Sequence, residues 1–461
     1  MVFHSAMFLF IFLPCSVLLY ALIPGRKAKA VLLGLLSVLF YSFGGIAQVP
    51  ALLFCAVWNW LFGLALSREK GPRRLLCAAA VAGDLALLCL YKYTGFLLGI
   101  FGSPAPAWVG AAPPGISFFT FHAISYLVDV FRDRTLAEKR PGLLFLYIAF
   151  FPRLLAGPIL TWRAARSEPF GRAVSAEETA AALRRFTRGL AKKLLLAESA
   201  AAVANGVFAL TGEALSSSLA WLGAFAYCLQ IYYDFSGYSD MAIALGSLFG
   251  CTFPENFDHP YASRTLSEFW RRWHMSLNRW FVDYLYIPLG GSREGLAKTV
   301  RNTLIVFFFT GLWHGAGWTF ILWGLWHGAL VSLERLFPKQ LTAAESSAPG
   351  RALTRVLTLT AVLLGFVMFR SASVRDGFVM IGRLFSFSGG DIQSALALRR
   401  ILSPERGFFL IAGALFSLPL GGRIRSRLPE TAANVLALIG LIVCICAMAG
   451  GGFTPFIYQQ F

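Results

Sequence analysis

The chain has 461 residues, 57% hydrophobic and 14% charged, and its 41 Lys and Arg against 23 Asp and Glu give a net charge of +18. A soluble globular domain carries nearer a quarter of charged residues, so this composition excludes an ordinary soluble enzyme and implies an all-α polytopic membrane protein. The basic residues stand between apolar blocks, which fits membrane topology and anionic headgroups rather than a nucleic-acid partner.

The first apolar run, Met7 to Ile23, lacks a preceding positive region and is followed by Arg26, Lys27 and Lys29. It reads as a retained first span with a cytoplasmic exit. Ala30 to Ala47 and Pro50 to Leu66 are predicted as the second and third spans, joined by an uncharged turn at Gly44 and Gly45. The next link, Arg68 to Arg74, is strongly basic. Basic, neutral, basic is the alternation expected when residues 24–29 and 67–74 face the cytoplasm.

Leu75 to Ile100 is predicted as one span carrying Asp84 and Lys92. Eight positions on a helix separate them by about 12 Å, too far for a direct ion pair. Lys92 is expected to reach toward an interface and Asp84 to find a polar partner on another helix. The uncharged link from Gly102 to Gly115 fits the outside, and Ile116 to Val130 returns to the basic residues Arg132, Arg134, Lys139 and Arg140. In LLFLYIAFFPRLLAGPIL, Pro152, Gly157 and Pro158 would disrupt a spanning helix, which predicts a broken, re-entrant segment. Glu177 to Glu198 places Arg184, Arg185, Arg188, Lys192 and Lys193 at three-to-four spacing. That is the pattern of an amphipathic helix at the cytoplasmic surface, either anchored on headgroups or docking an acidic carrier or the phosphates of coenzyme A.

Spans are expected at Ala200 to Leu210 and Leu219 to Tyr233, followed by a polar knot of Asp234, Ser236, Tyr238, Ser239 and Asp240 around Gly237. Such a knot either lines a cavity or ties helices together. From Asn302 to Leu333 there is no formal charge. A straight helix of that length would be about 48 Å long against a hydrocarbon core of roughly 30 Å, so the segment must tilt, break or turn. The break is expected at His314-Gly315-Ala316-Gly317. Val356 to Phe369, Gly407 to Leu420 and Ala432 to Met448 complete a total of roughly ten to twelve crossings. Basic stretches at both 370–406 and 423–427 leave the side of the C-terminus open.

The eight cysteines are scattered and form no C-x-x-C pair, which suits small packing residues better than zinc or a disulfide framework. Of the six histidines, His4 and His259 read as structural or solvated, and His122 as a mid-span residue bridging helices by a hydrogen bond. His274 lies in EFWRRWHMSLNRWF behind Arg271 and Arg272, while His314 and His327 each occupy the pentapeptide GLWHG. Thirteen positions on one unbroken helix is about 220° of rotation, so these two histidines can share a site only through a break. His314, beside the break and among small residues, is the one a substrate could reach. His327, within a regular span, suits an interhelical hydrogen bond. With no H-E-x-x-H, Cys cluster or G-x-S-x-G in the chain, a neutral imidazole acting as general base on a hydroxyl is the chemistry such a residue offers.

The stretches YYDFSGYSDMAIALG, FPENF, EFWRRWHMSLNRWF, DYLYIPLGG and GLWHGAGWTFILWGLWHG resemble the membrane-bound O-acyltransferases. The closest likeness is to the bacterial branch that contains the alginate O-acetyltransferase membrane subunit and the D-alanyl transferase of teichoic acids. The resemblance covers nearly the whole chain, most specifically Tyr232 to Gly328. It implies one domain, with N-terminal spans over 1–131, a catalytic core over 132–340 and C-terminal spans over 341–461. In it, transmembrane, re-entrant and interfacial helices surround a central funnel and tunnel.

It further implies transfer of an acyl group, most simply acetyl, from a cytoplasmic thioester across the membrane to an extracytoplasmic polysaccharide. The donor would be acetyl-coenzyme A or an acyl carrier thioester, with no bound cofactor and no metal. The family's catalytic histidine falls on His314 and its second polar position on His274. Trp313, Trp273, Arg271, Asp240 and Asp234 are the substrate-side candidates. Val282 stands where relatives often carry Arg before Asp-Tyr. A separate extracytoplasmic acetyltransferase, a cytoplasmic donor carrier and membrane lipids are the implied partners, at the bacterial inner membrane. A precursor transporter or flippase, or an acyltransferase acting on a lipid or with a D-alanyl donor, are the competing readings.

Overall fold

The structure is a computed structural model that describes residues 1–104, 106, 112–167, 170–386, 392–419, 429–450 and 456. Among these residues every regular element is a helix. Four helices are long and apolar enough to cross a membrane on their own: Ile46–Ser67, Arg73–Lys92, Ala348–Arg370 and Glu430–Ala449. Other apolar segments are shorter, as in Phe8–Leu22, or carry buried polar residues, as in Ser217–Leu248. The basic stretch at 423–427 and much of the link between Gly102 and Gly115 lie outside the described residues.

The chain divides into two compact units, one of residues 1–188 with 238–255 and one of residues 189–237 with 256–461. In the first, the helix Ile116–Arg132 is buried along most of its length and packs on Val49–Ser67 and Arg73–Lys92. Asp84 finds its partner as expected: Asn59 Nδ2 on the neighbouring helix donates to its Oδ1 at 2.8 Å. Lys92 donates to Ser117 at 3.2 Å. The predicted single span Leu75 to Ile100 is in fact two helices, Arg73–Lys92 and Thr94–Ile100. The Thr94 hydroxyl donates to the Leu90 carbonyl at 2.8 Å, and such side-chain competition for carbonyls loosens a helix.

The segment with Pro152 and Pro158 is interrupted where expected. The helix Pro141–Ala149 stops at Phe150, a four-residue turn Phe151–Leu154 follows, and the chain from Gly157 to Leu160 is non-helical. His122 differs from expectation. Neither ring nitrogen bonds to another described residue, and the ring packs edge-on against Tyr147 at 5.6 Å. The described contact is a ring contact rather than a hydrogen bond.

The polar knot ties helices within each unit. In the first, Asp240 accepts from Arg185 at 2.9 Å and Arg188 at 3.0 Å, both on the helix Ala176–Ala191, and Arg185 also reaches Glu255 at 2.5 Å. In the second, Lys193 lies 2.7 Å from Asp234 and 2.8 Å from Glu198. A buried charge needs such partners, since an isolated one would cost several kcal/mol.

The second unit is built on a helical hairpin. Leu296–His314 ends at the predicted break, and Trp318–Leu336 runs back along it. The helices touch backbone to backbone, with a Cβ on Gly311 directed at the Phe320 carbonyl and one on Gly324 directed at the Phe307 carbonyl. Glu334, near the end of the return helix, accepts from the backbone N–H groups of Leu266 at 2.6 Å and Ser267 at 2.9 Å. A carboxylate at a helix N-terminus answers both its orphan donors and its dipole, so Glu334 pins Leu266–Arg272 to the hairpin.

Replacing Gly324 by Ala should lower the thermal midpoint of the purified protein. Helix propensity alone would raise stability by about 1 kcal/mol, but overpacking against the Phe307 carbonyl costs about 1–3 kcal/mol. A raised midpoint would contradict the close approach.

Candidate functional site

The site in the second unit is made by two places where helices stop. The first is at His274, between Leu266–Arg272 and Met275–Phe281. His274 adopts φ 44° and ψ 52°, a left-handed conformation unfavourable for a residue with a Cβ and maintained only when neighbours over-determine it. The neighbours are in the FPENF loop. The backbone N–H of Met275 donates to the Asn256 carbonyl at 2.9 Å, and that of Asp258 donates to the Arg272 carbonyl at 3.0 Å. Asn256 Oδ1 accepts from the Ser276 hydroxyl at 2.9 Å and the Ser276 N–H at 3.2 Å, and it lies 3.2 Å from His274 Nδ1. Donation from Nδ1 to Asn256 selects the tautomer whose Nε2 is a lone-pair acceptor.

The second stop is at His314, the last residue of its helix, followed by extended backbone through Gly315 and Gly317. Its ring is 4.8 Å from Trp313, 5.0 Å from Trp323 and 5.3 Å from Phe369, all at steep interplanar angles. Trp313 also contacts His274 at 6.1 Å, and His274 packs on Phe235 at 4.5 Å. The two imidazoles therefore flank one indole. Both are almost wholly buried, 2% exposed for His274 and 4% for His314.

The remaining candidates separate from this pair. Trp273 belongs to an aromatic core with Phe257, Phe269 and Phe366 at 5.1–5.4 Å. Arg271 is exposed, and Asp234 and Asp240 are engaged in the ion pairs described above. For His327 the sequence predicts an interhelical hydrogen bond. Instead neither of its nitrogens bonds to another described residue, and the ring lies between Trp270 at 5.0 Å and Trp323 at 5.3 Å. Its neighbours there are indoles whose own N–H groups are also without described partners.

Three residues of the arrangement carried no functional reading in the sequence. Asn256 had a signal, a lone amide inside FPENF. Trp323 is brought to His314 only by the hairpin, and Phe369 comes from a helix 55 residues further along the chain. Chemically, the site offers two imidazoles of restricted orientation in an enclosure of aromatic rings, where electrostatic interactions are stronger than in water.

His274 lies outside the four apolar spans, and burial pushes its imidazole down to about 3. An unfolded histidine protonates near pH 6.5. Between about pH 6.5 and 3 the unfolded chain therefore binds a proton that the folded chain does not, and stability falls as pH drops through that window. Asn tolerates the left-handed region. His274→Asn should fold at pH 7.5, and its thermal midpoint should fall less than wild type's between pH 7.5 and 5. Equal losses in the two proteins would refute the assignment.

A family model described as MBOAT, membrane-bound O-acyltransferase family, matches residues 114–352. The chain is 34% identical to a protein of Azotobacter vinelandii named "Probable alginate O-acetylase AlgI", with 100% of both chains covered. It is 31% identical to the peptidoglycan O-acetyltransferase of Helicobacter pylori over 84% of this chain and 80% of that one. It is 27% identical to the teichoic acid D-alanyltransferase of Bacillus subtilis over 70% of this chain and 85% of the other. The matched region contains the FPENF loop, the His274 turn and both GLWHG pentapeptides, and a relative above 30% identity extends over the full length: the chain belongs to the membrane-bound O-acyltransferase family.

Proposed function

We propose that this protein is a membrane O-acetyltransferase. In this reading it takes an acetyl group from a cytoplasmic thioester, acetyl-coenzyme A or an acyl carrier, and delivers it for O-acetylation of an extracytoplasmic polysaccharide. The observation that carries the reading is His314, a buried imidazole at a helix end beside a chain reversal, with His274 across Trp313. The choice of acetyl over D-alanyl is supported by degree of likeness. Relatives named for O-acetylation are 31–38% identical, against 27–29% for those named for D-alanyl transfer. A polysaccharide acceptor is favoured because alginate and peptidoglycan stand in the names of the former.

In the proposed reaction the hydroxyl oxygen of the acceptor attacks the thioester carbonyl carbon. A C–O bond forms, the C–S bond breaks, and the hydroxyl proton passes to His314 and then to the departing thiolate. The products are an acetyl ester and a free thiol, and no net proton is released. General-base catalysis of this kind contributes roughly 10²–10⁴-fold. His274, with Nδ1 3.2 Å from Asn256 Oδ1, keeps Nε2 as its acceptor and would orient a hydroxyl. A cytoplasmic-membrane location and a separate extracytoplasmic transferase complete the proposal.

Membrane vesicles from the native host should release free thiol from labelled acetyl-coenzyme A and carry the label to polymer or to a partner protein. His314→Ala should lower both by roughly 10²–10⁴-fold while remaining folded and membrane-inserted. Undiminished transfer by that variant would reject the base. Absence of thiol release from the wild type would reject coenzyme A as the immediate donor, leaving a carrier thioester to be supplied in its place.

A further inference from the structure

The two GLWHG pentapeptides meet at one ring. Trp323, 1% exposed, contacts His314 of the first pentapeptide at 5.0 Å and His327 of the second at 5.3 Å. It also contacts Phe369 at 5.1 Å and Trp270 at 5.6 Å. Trp323 and His327 are four positions apart on the return helix, hence on one face, and the reversal at Gly315–Gly317 turns that face toward the end of the outgoing helix. We propose that Trp323 is the positioning residue of His314, and that His327 acts through Trp323 as its buttress rather than as a second base. This rests on the reading of His314 as the base.

A general base must be held within about 10–20° of its productive orientation. In catalytic triads a third group bonded to the second ring nitrogen does this. The described rings packed on His314 include Trp313, Trp323 and Phe369, and edge-to-face contacts are directional enough to fix a ring plane. Trp323 must itself be immobile to serve. It is wedged by Trp270 and His327, which contact each other at 5.0 Å.

His327 in turn is pressed against the helix Ala348–Arg370 at Gly365, where an added Cβ would lie 2.5 Å from Nε2 and 3.2 Å from Cε1. Phe369 is four residues beyond Gly365 on that helix. One helix face thus admits the buttress at Gly365 and closes over the base at Phe369. The His327 nitrogens, both without a described partner, add nothing to this role; the ring's volume does.

The test measures thiol release from acetyl-coenzyme A in native-host membrane vesicles, resolved into maximal rate and half-saturating donor concentration, with thermal midpoints as a folding control. Trp323→Leu should lower the maximal rate about 30- to 100-fold, the loss expected from misplacing a catalytic group by about 1 Å, with half-saturation within about threefold. Trp323→Phe, which keeps a ring, should recover at least a third of that loss on a logarithmic scale. His327→Phe should be at least tenfold faster than His327→Ala. Gly365→Ala, which touches no part of the base, should slow the reaction by pushing on His327.

His327→Phe as slow as His314→Ala would overturn the buttress and make His327 a chemical participant. Trp323→Leu at the wild-type rate, or altered only in half-saturation, would overturn positioning. Should Trp323→Leu fail to fold, Trp323→Phe and Gly365→Ala decide: wild-type rates in both overturn the proposal. Wild-type turnover by His314→Ala would instead remove the base reading on which it stands.

Discussion

An uncharged run too long for a bilayer has to turn somewhere, and here it turns at Gly315-Ala316-Gly317. That reversal is the constraint on which the second unit depends. It ends one helix at His314, starts the next at Trp318, and lets the two run back to back because Gly311 and Gly324 remove the side chains that would separate them. The close approach brings a residue nine positions away, Trp323, against the imidazole. It also carries Glu334 to the N-terminus of Leu266–Arg272, which fixes the segment whose far end is the strained turn at His274. A single backbone device thus positions both histidines.

Polar groups elsewhere follow the same economy of placement. Each unit buries a charged cluster, Asp240 with Arg185 and Arg188 in one, Lys193 with Asp234 and Glu198 in the other. Buried pairs of this kind add little net stability, but losing one partner is costly, so they specify helix register. The histidine site is different in kind. Among the described contacts, Asn256 is an amide organiser of His274 and aromatic rings pack on His314.

Much of the site was legible in the chain. The absence of charge from Asn302 to Leu333, set against helix rise, left tilt, break or turn, and the glycines pointed to a break at 314–317. The position of His314 beside that break, and of His274 in a Trp- and Arg-rich segment, followed from the residues and from the resemblance they carry. The pairing of Asp84 with a polar group on another helix followed from the cost of burying a lone carboxylate.

What was not legible depended on contacts distant in sequence. A helical wheel separates His314 from His327 by about 220° and gives no hint that both touch Trp323. Phe369 and Gly365 lie in the apolar half of a helix, where nothing in the pattern singles them out. For His122 and His327 a hydrogen bond is the expectation, because buried polar groups usually have one, yet their described contacts are rings: Tyr147 for His122, Trp270 and Trp323 for His327. At the helix break at Tyr93 the Thr94 hydroxyl bonds the Leu90 carbonyl, a local contact that apolar periodicity does not register.

The central claim is that an acyl thioester reaches the imidazole at the reversal. An experimental structure with a non-transferable analogue of acetyl-coenzyme A, its thioester replaced by a thioether ketone, tests this most directly. The account predicts the carbonyl carbon within about 5 Å of the His314 ring, leaving room for a hydroxyl at about 3 Å from both. An analogue bound with its carbonyl remote from that ring, and Trp313 and Trp323 closed between them, would contradict it.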